Sequence, residues 1–347
     1  MATAPVGVLL VDDSAVVRGL IQRGVEADPD IRVLGAANNG QTAIDMAKAL
    51  APDVVLLDIE MPVMDGLEAL PRILAARPGA AVIMASALTH RHAGMSFRAL
   101  QLGAADYVPK PDAANGQGAM PAFLDELKTK IKAHGRGANV AKPPALRAAP
   151  HLRKLKPAAI AIASSTGGPP ALLKVFAGVK GRLTCPVFIT QHMPATFTAM
   201  LAEQLARVAG IPASEGVSGT AVAPGHIYVA PGGRHMLVER GPAGPVIELS
   251  DAAPENFCKP AADPMLRSLA KVYGPGLLVA MLTGMGRDGA DGCVAVANAG
   301  GNFFVQDEAS SVVWGMPGAA FRTGRAMGQL SLDAAADYLA AAMRGSP

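Results

Sequence analysis

The chain has 347 residues, half of them hydrophobic and only 4% aromatic, which suits two α/β domains with separate cores filled by Ala, Val, Leu and Met. Three cysteines (Cys185, Cys258, Cys293) without Cys-x-x-Cys spacing exclude a disulfide framework and give no zinc signature, favouring a reducing compartment. The net charge of +3 is local in origin: nine Lys and Arg and no acid lie between Leu127 and Lys156, leaving the rest of the chain at −6, so DNA binding finds no general basic surface.

The first residues, MATAPVGVLLVDDS, carry no basic stretch ahead of a short apolar run, and no apolar run reaches the ~18 residues of a membrane span. The expectation is a soluble, cytoplasmic protein that is not membrane-inserted.

Residues 1–134 alternate strand-like and helix-like stretches. VGVLLV (6–11), RVLGAA (32–37), DVVLLD (53–58), AAVIMAS (80–86) and ADYVP (105–109) read as strands. SAVVRGLIQRGVEA, GQTAIDMAKALA, GLEALPRILAAR and the closing PAFLDELKTKIKAH read as helices. Such alternation predicts a parallel sheet covered on both faces. Residues 135–157 are basic, rich in Pro and Ala, and lack apolar periodicity. They read as a linker: a solvated tether, or a segment drawn to an acidic partner or membrane surface. In residues 158–347 the alternation resumes, with AAIAIA, CPVFITQ, HIYVAP, GLLVAML and GNFFVQ as strands. The fold class is α/β, with two doubly wound domains in tandem.

In the first domain three carboxylates fall at strand ends, Asp12 and Asp13 after VGVLLV and Asp58 closing DVVLLD. The carboxyl ends of parallel strands share one edge, where ligands bind. Clustered carboxylates there repel unless a hard cation such as Mg²⁺ neutralises them. Ser86 ends the fourth strand and Lys110 follows the fifth, bringing a hydroxyl and an ammonium to the same edge. A cis Lys110–Pro111 bond would aim the lysine inward.

VLLVDDSAVVR, DVVLLDIEMPVMDG, MASALT and DYVPKP resemble the response-regulator receiver domain over residues 5–133. The resemblance implies a flavodoxin-like, five-stranded parallel fold and phosphorylation of Asp58 by a histidine kinase. Asp13, Asp58 and the Glu60 carbonyl would hold Mg²⁺ with help from Asp12, while Lys110 and Ser86 contact the phosphoryl oxygens. Tyr107 matches the aromatic switch position, and half-buried packing explains it equally well.

In the second domain IAIASSTGGPPALLKVF runs from a strand through two serines into a helix. No Lys follows the glycines as a P-loop requires, and no G-x-G-x-x-G is present. A plain turn with Pro169 near the helix start remains open. A nucleophile on a strand-to-helix elbow needs small residues two before and two after it. Ser165 has Ala163 and Gly167 there, whereas Ser164 has the β-branched Ile162 and Thr166. The following helix is expected to present free N–H groups and its positive dipole end to an oxyanion. A serine needs a base and the base an orienting acid. His192 directly follows a strand, on the edge expected for Ser165; His226 precedes its strand, and His235 opens a new segment. Asp288 and Asp291 share a glycine-rich loop after GLLVAML, Asp288 nearer the strand. Both also suit turn support.

SSTGGPPALL, VFITQHMP, HIYVAPGGRHM, LTGMGRDGADG and QDEASSVVWGMPGAA resemble the catalytic domain of the chemotaxis protein-glutamate methylesterase family over residues 158–343. The resemblance implies that Ser165 is the nucleophile, His192 the base and Asp288 its acid. Thr166 and the backbone around Met285 would make oxyanion or substrate contacts. Methyl-accepting chemoreceptors are the implied substrates, with deamidation of receptor glutamines as a related activity. Ester hydrolysis needs no cofactor, and the protein is expected to be a monomer. Two departures stand out: Ala163 replaces a common Gly, and NFCKPAADPML replaces an Arg-Pro-Ser-type stretch. A receiver-controlled transcription regulator is the rival class, and residues 158–347 lack its compact helix-turn-helix.

Overall fold

The computed structural model describes residues 4–86, 90–111, 119–137, 156–179 and 183–344. The chain forms two compact units, Met1–Ala141 and Lys142–Pro347. Most of the basic segment expected to be a linker lies outside the described residues.

The first unit is a five-stranded sheet of β1 (Val6–Val11), β2 (Ile31–Ala37), β3 (Val54–Asp58), β4 (Ala81–Ser86) and β5 (Asp106–Pro109). Its order is β2-β1-β3-β4-β5, and every pairing is parallel. The strands alternate with α1 (Ala15–Glu26), α2 (Gly40–Leu50), α3 (Gly66–Ala76), α4 (His90–Gln101) and α5 (Ala119–Gly137). Burial on both faces explains the unbroken apolar runs: every residue of β1 and β3 is buried. The helices start where side chains satisfy orphan amides. Ser14 Oγ accepts from Val17 N (3.3 Å), Asn39 Oδ1 from Thr42 N (2.9 Å) and Asp65 Oδ1 from Glu68 N (2.8 Å). Strand order reverses between β1 and β3, which opens a crevice at their carboxyl ends.

The second unit holds β6 (Ala159–Ser164), α6 (Gly168–Ala177), β7 (Val187–Gln191), α7 (Ala195–Ala209), β8 (Ala213–Glu215), β9 (Ile227–Val229), β10 (His235–Gly241), β11 (Gly244–Ser250), α8 (Ala262–Tyr273), β12 (Leu277–Met281), α9 (Ala290–Asn298), β13 (Asn302–Gln306), α10 (Met316–Phe321), β14 (Gln329–Leu330) and α11 (Leu332–Arg344). Seven strands form a parallel sheet ordered β14-β13-β12-β6-β7-β9-β8. β10 and β11 form an antiparallel hairpin packed through Met236, Val238 and Ile247 onto α8, and β11 is bridged further by Ala221 opposite Val246. Sequence patterning did not separate this hairpin or the short β8 and β14. The order again reverses at β6, between β7 and β12, so three strand ends converge on one crevice.

Candidate active site and phosphoryl-acceptor site

In the first unit Asp12, Asp13 and Asp58 bring carboxylate oxygens within 4.8 Å of one another. Asp12 and Asp58 are buried, and Asp13 faces solvent. Lys110 Nζ lies 2.6 Å from Asp12 Oδ2 and 2.8 Å from Asp58 Oδ2. Burial pushes the Asp58 carboxyl up, with Lys110 opposing. Burial acts to lower Lys110, but the Asp58 and Asp12 carboxylates hold it above its ordinary value. Three hard oxygen donors beside one ammonium fit a divalent cation such as Mg²⁺. Ser86 is buried at the end of β4, where its Oγ accepts from Ser96 Oγ at 2.9 Å. Glu60 is exposed just beyond β3. Tyr107 is buried, with Lys130 Nζ 5.1 Å from its ring centre.

One expectation is corrected here. The cis peptide bond among the described residues is Lys259–Pro260, and Lys110–Pro111 is not cis. Lys110 is aimed instead by its backbone N–H bond to Ser86 O (2.7 Å) and by the two carboxylates.

In the second unit Ser165 leaves the end of β6 and His192 the end of the adjacent β7, joined by His192 N donating to Ser164 O (3.2 Å). The two serines differ in environment. Ser164 is fully buried and its Oγ donates to Gln191 Oε1 at 2.6 Å. Ser165 is half-buried, and its hydroxyl has no hydrogen-bond partner among the described residues. Its backbone is pinned, with N donating to Thr283 O (3.0 Å) and O accepting from Gln191 Nε2 (2.9 Å).

His192 Nε2 donates to Asp288 Oδ2 at 2.7 Å. Asp288 is buried and also accepts from Ala262 N (2.6 Å) and Asp263 N (3.1 Å), at the start of α8. Burial acts to lower the His192 pKa, but Asp288 and Cys258 prevail and lift it to about 9. Burial acts to raise the Asp288 pKa, and His192 outweighs it, holding the carboxyl below its ordinary value. Asp291 is exposed and pairs with Arg287 at 3.0 Å. His226 opens β9 at the opposite sheet edge, stacked on Tyr228. His235 is buried, accepting from Ala261 N at Nδ1 and facing Ala253 O with Nε2, so it braces the segment between.

The α6 N-terminus departs from expectation. Pro169 and Pro170 have no N–H, and Gly168 N is already bonded to Ser165 O at 2.8 Å. The amides without a partner among the described residues are those of Thr166 and Gly167, ahead of the helix. Across the crevice Thr283 Oγ1 donates to Thr166 O (3.0 Å), and Gly284 abuts Ser165 closely enough that a Cβ there would lie 2.9 Å from Ser165 N. Met285 follows at once, half-exposed.

Three contributors to the site escaped sequence reading. Cys258 Sγ lies 3.4 Å from His192 Nδ1, the ring nitrogen not used by Asp288. Asn256 Nδ2 donates to Asp263 Oδ2 (2.9 Å) and reaches Asp288 Oδ1 (3.3 Å). Asp263 is buried beside Asp288 and its carboxyl is pushed up to about 6, by burial first and by Asp288 as well. All three lie in the divergent NFCKPAADPML stretch, whose only sequence signal was that divergence.

A cavity of about 450 Å³ lies between the β10–β11 hairpin and α8, lined among others by Arg240, Glu255, Arg267 and Lys271. It is lined by none of Ser165, His192 and Asp288, so the converging side chains, rather than this void, mark the candidate site.

Residues 160–339 match the family model described as CheB methylesterase, and residues 8–116 match the response regulator receiver domain. A protein-glutamate methylesterase/protein-glutamine glutaminase of Azospirillum brasilense is 47% identical over 362 residues, covering 96% of this chain and 92% of that protein. One from Nitrobacter hamburgensis is 49% identical, covering 92% and 89%. The crystal structure of the Thermotoga maritima CheB methylesterase catalytic domain matches with a TM-score of 0.52 at 31% identity, covering 54% of this chain and 98% of that domain. By sequence over nearly its whole length, the chain belongs to the CheB methylesterase family, joining that family's catalytic domain to a response regulator receiver domain.

Proposed function

We propose that this protein hydrolyses glutamate γ-methyl esters on chemoreceptors, releasing methanol, and deamidates receptor glutamines, under control of phosphorylation at Asp58. The observation that carries the reading is the His192–Asp288 pair, 2.7 Å apart, on the sheet edge where Ser165 offers an unpartnered hydroxyl. Donation of Nε2–H to Asp288 leaves Nδ1 to take the Ser165 proton as Oγ attacks the ester carbonyl carbon. Thr166, whose amide has no partner among the described residues, and the backbone around Met285 would make the oxyanion or substrate contacts. Nδ1–H then protonates the departing methoxide, and an acyl-Ser165 ester remains. Water gives a proton to Nδ1, attacks that ester and releases the glutamate carboxyl and the serine. With glutamine as substrate the same steps expel ammonia.

In the receiver, Asp13, Asp58 and the Glu60 carbonyl would hold Mg²⁺ with Asp12 beside them. The ion supplies charge neutralisation for phosphoryl transfer from a histidine kinase to Asp58. Lys110 and Ser86 then take the phosphoryl oxygens. The order of the domains supports control by a population shift, with the unphosphorylated receiver disfavouring access to Ser165. The protein would act as a monomer from the cytoplasm on receptor cytoplasmic domains; no helix among the described residues is long and apolar enough to cross a membrane.

The test is methanol release from methylated receptor membranes, with and without a small phosphoryl donor plus Mg²⁺. Faster release with the donor supports the reading. Equal rates would remove phosphorylation control, and no methanol in either case would remove the substrate assignment.

A further inference from the structure

Phe257 is the most exposed large apolar side chain among the described residues, at 103%. It stands at the tip of a two-residue turn closed by paired backbone bonds, Glu255 N to Cys258 O (3.2 Å) and Cys258 N to Glu255 O (2.9 Å). Both central residues have positive φ, Asn256 at 51° and Phe257 at 63°. That is the pattern of the tightest hairpin turns, which favour Asn at the first position and Gly at the second. A bulky aromatic residue at the second position is strained, and full exposure returns nothing to folding.

The turn is held against the site on both sides of Phe257. Asn256 before it bonds Asp263 and reaches Asp288, and Cys258 after it meets His192 Nδ1. Glu255 is anchored by Arg267 at 2.6 Å. A strained, solvent-facing ring is thus fixed at the rim of the Ser165–His192–Asp288 crevice. Met285, at 51% exposure, lies on the loop that carries Asp288.

We propose that Phe257 is a substrate-specificity residue that packs against an apolar side chain of the polypeptide presenting the esterified glutamate. The inference rests on the reading above of the substrate as a protein. A methyl ester is too small to supply much binding by itself, so discrimination among glutamates must come from surface beyond the reacting carbonyl. A fixed aromatic ring supplies large contact area at little entropic cost.

The test uses the full chain carrying Phe257→Ala, Phe257→Gly or Phe257→Leu, assayed on methylated receptor and on N-acetylglutamate γ-methyl ester. With Ala and Gly, KM for the receptor rises about tenfold, while kcat changes less than twofold; Leu recovers part of the loss. Turnover of the small ester reports the integrity of the catalytic groups and is expected to stay within twofold of wild type. Gly, which tolerates positive φ, is expected to raise the melting temperature even as receptor KM rises. An unchanged receptor KM overturns the proposal. So does an equal loss on both substrates, which would make the turn a support for His192. If wild type hydrolyses the small ester but releases no methanol from receptors, the substrate reading itself fails and this inference falls with it.

Discussion

His192 and Asp288 lie ninety-six positions apart in the chain and 2.7 Å apart at the mouth of the second sheet. The bond fixes Nε2 as the nitrogen that faces the acid and leaves Nδ1 on the side of Cys258 Sγ, 3.4 Å away. It also ties the charge of the imidazole to that of a buried carboxylate.

A pH profile follows from that tie. With the His192 pKa lifted to about 9, neutral imidazole accumulates only as pH rises toward that value. Methyl-ester hydrolysis, measured as kcat/KM against pH, should therefore climb through neutrality with its inflection near 9 and level off above that. Asp288→Asn should move the inflection down toward the ordinary histidine range and cut kcat by ~10³–10⁴. The stability sign is opposite: a raised histidine pKa contributes fully below about 6.5 and is lost as pH passes through 9. Chemical unfolding at pH 6 and pH 10 measures that loss.

The adjacent serines should separate activity from stability. Ser165→Ala should abolish turnover and change unfolding free energy by no more than ~0.5 kcal/mol, because its hydroxyl is spent on no internal bond. Ser164→Ala should retain most turnover yet cost ~1–3 kcal/mol, since Gln191 Oε1 loses a buried donor at 2.6 Å. Denaturant melts alongside methanol release distinguish the two.

Gly284 should not tolerate a side chain. A Cβ there would sit 2.5 Å from Met316 Sδ and 2.9 Å from Ser165 Cβ. Gly284→Ala should cost ~1–3 kcal/mol through overpacking. It should also lower kcat by about 10²-fold by displacing the Ser165 turn. A fully active variant would show that the crevice wall yields.

The receiver carries its own acid-labile element. Asp106 is buried between Lys130 Nζ (3.2 Å) and His134 Nε2 (3.3 Å). Burial acts to raise its pKa, but Lys130 and His134 prevail and bring it down to about 2. A depressed carboxylate contributes above its ordinary value near 3.8 and is lost as pH falls toward 2, so the receiver should lose stability across that window. Asp106→Asn should cost ~1–3 kcal/mol at neutral pH by removing one of the two carboxylates that face buried Lys130, with Glu126 Oε1 left at 3.2 Å. Thermal melts from pH 2 to pH 7 check both effects.

Alternating apolar runs and helical periodicity were enough to determine two parallel α/β units, because strands buried on both faces must be apolar throughout. Spacing of small residues singled out Ser165, since an elbow is a local steric matter. Strand-end position likewise brought Asp12, Asp13, Asp58 and His192 to the right edges, as all parallel strands end on one side. The α6 N-terminus departs from the general rule for helix starts because Pro169 and Pro170 carry no N–H and Gly168 N is bonded to Ser165 O. Spacing alone left Asp288 and Asp291 open and the family resemblance pointed to Asp288; tertiary structure buries Asp288 against His192 and leaves Asp291 with Arg287 in solvent. Tertiary structure alone brought in Cys258 and Asn256, on a turn, and Asp263, at the start of α8, whose contacts reach His192 after β7 and Asp288 after β12. Local sequence determines what a residue's own backbone can do; which side chains meet across a crevice depends on packing between distant segments.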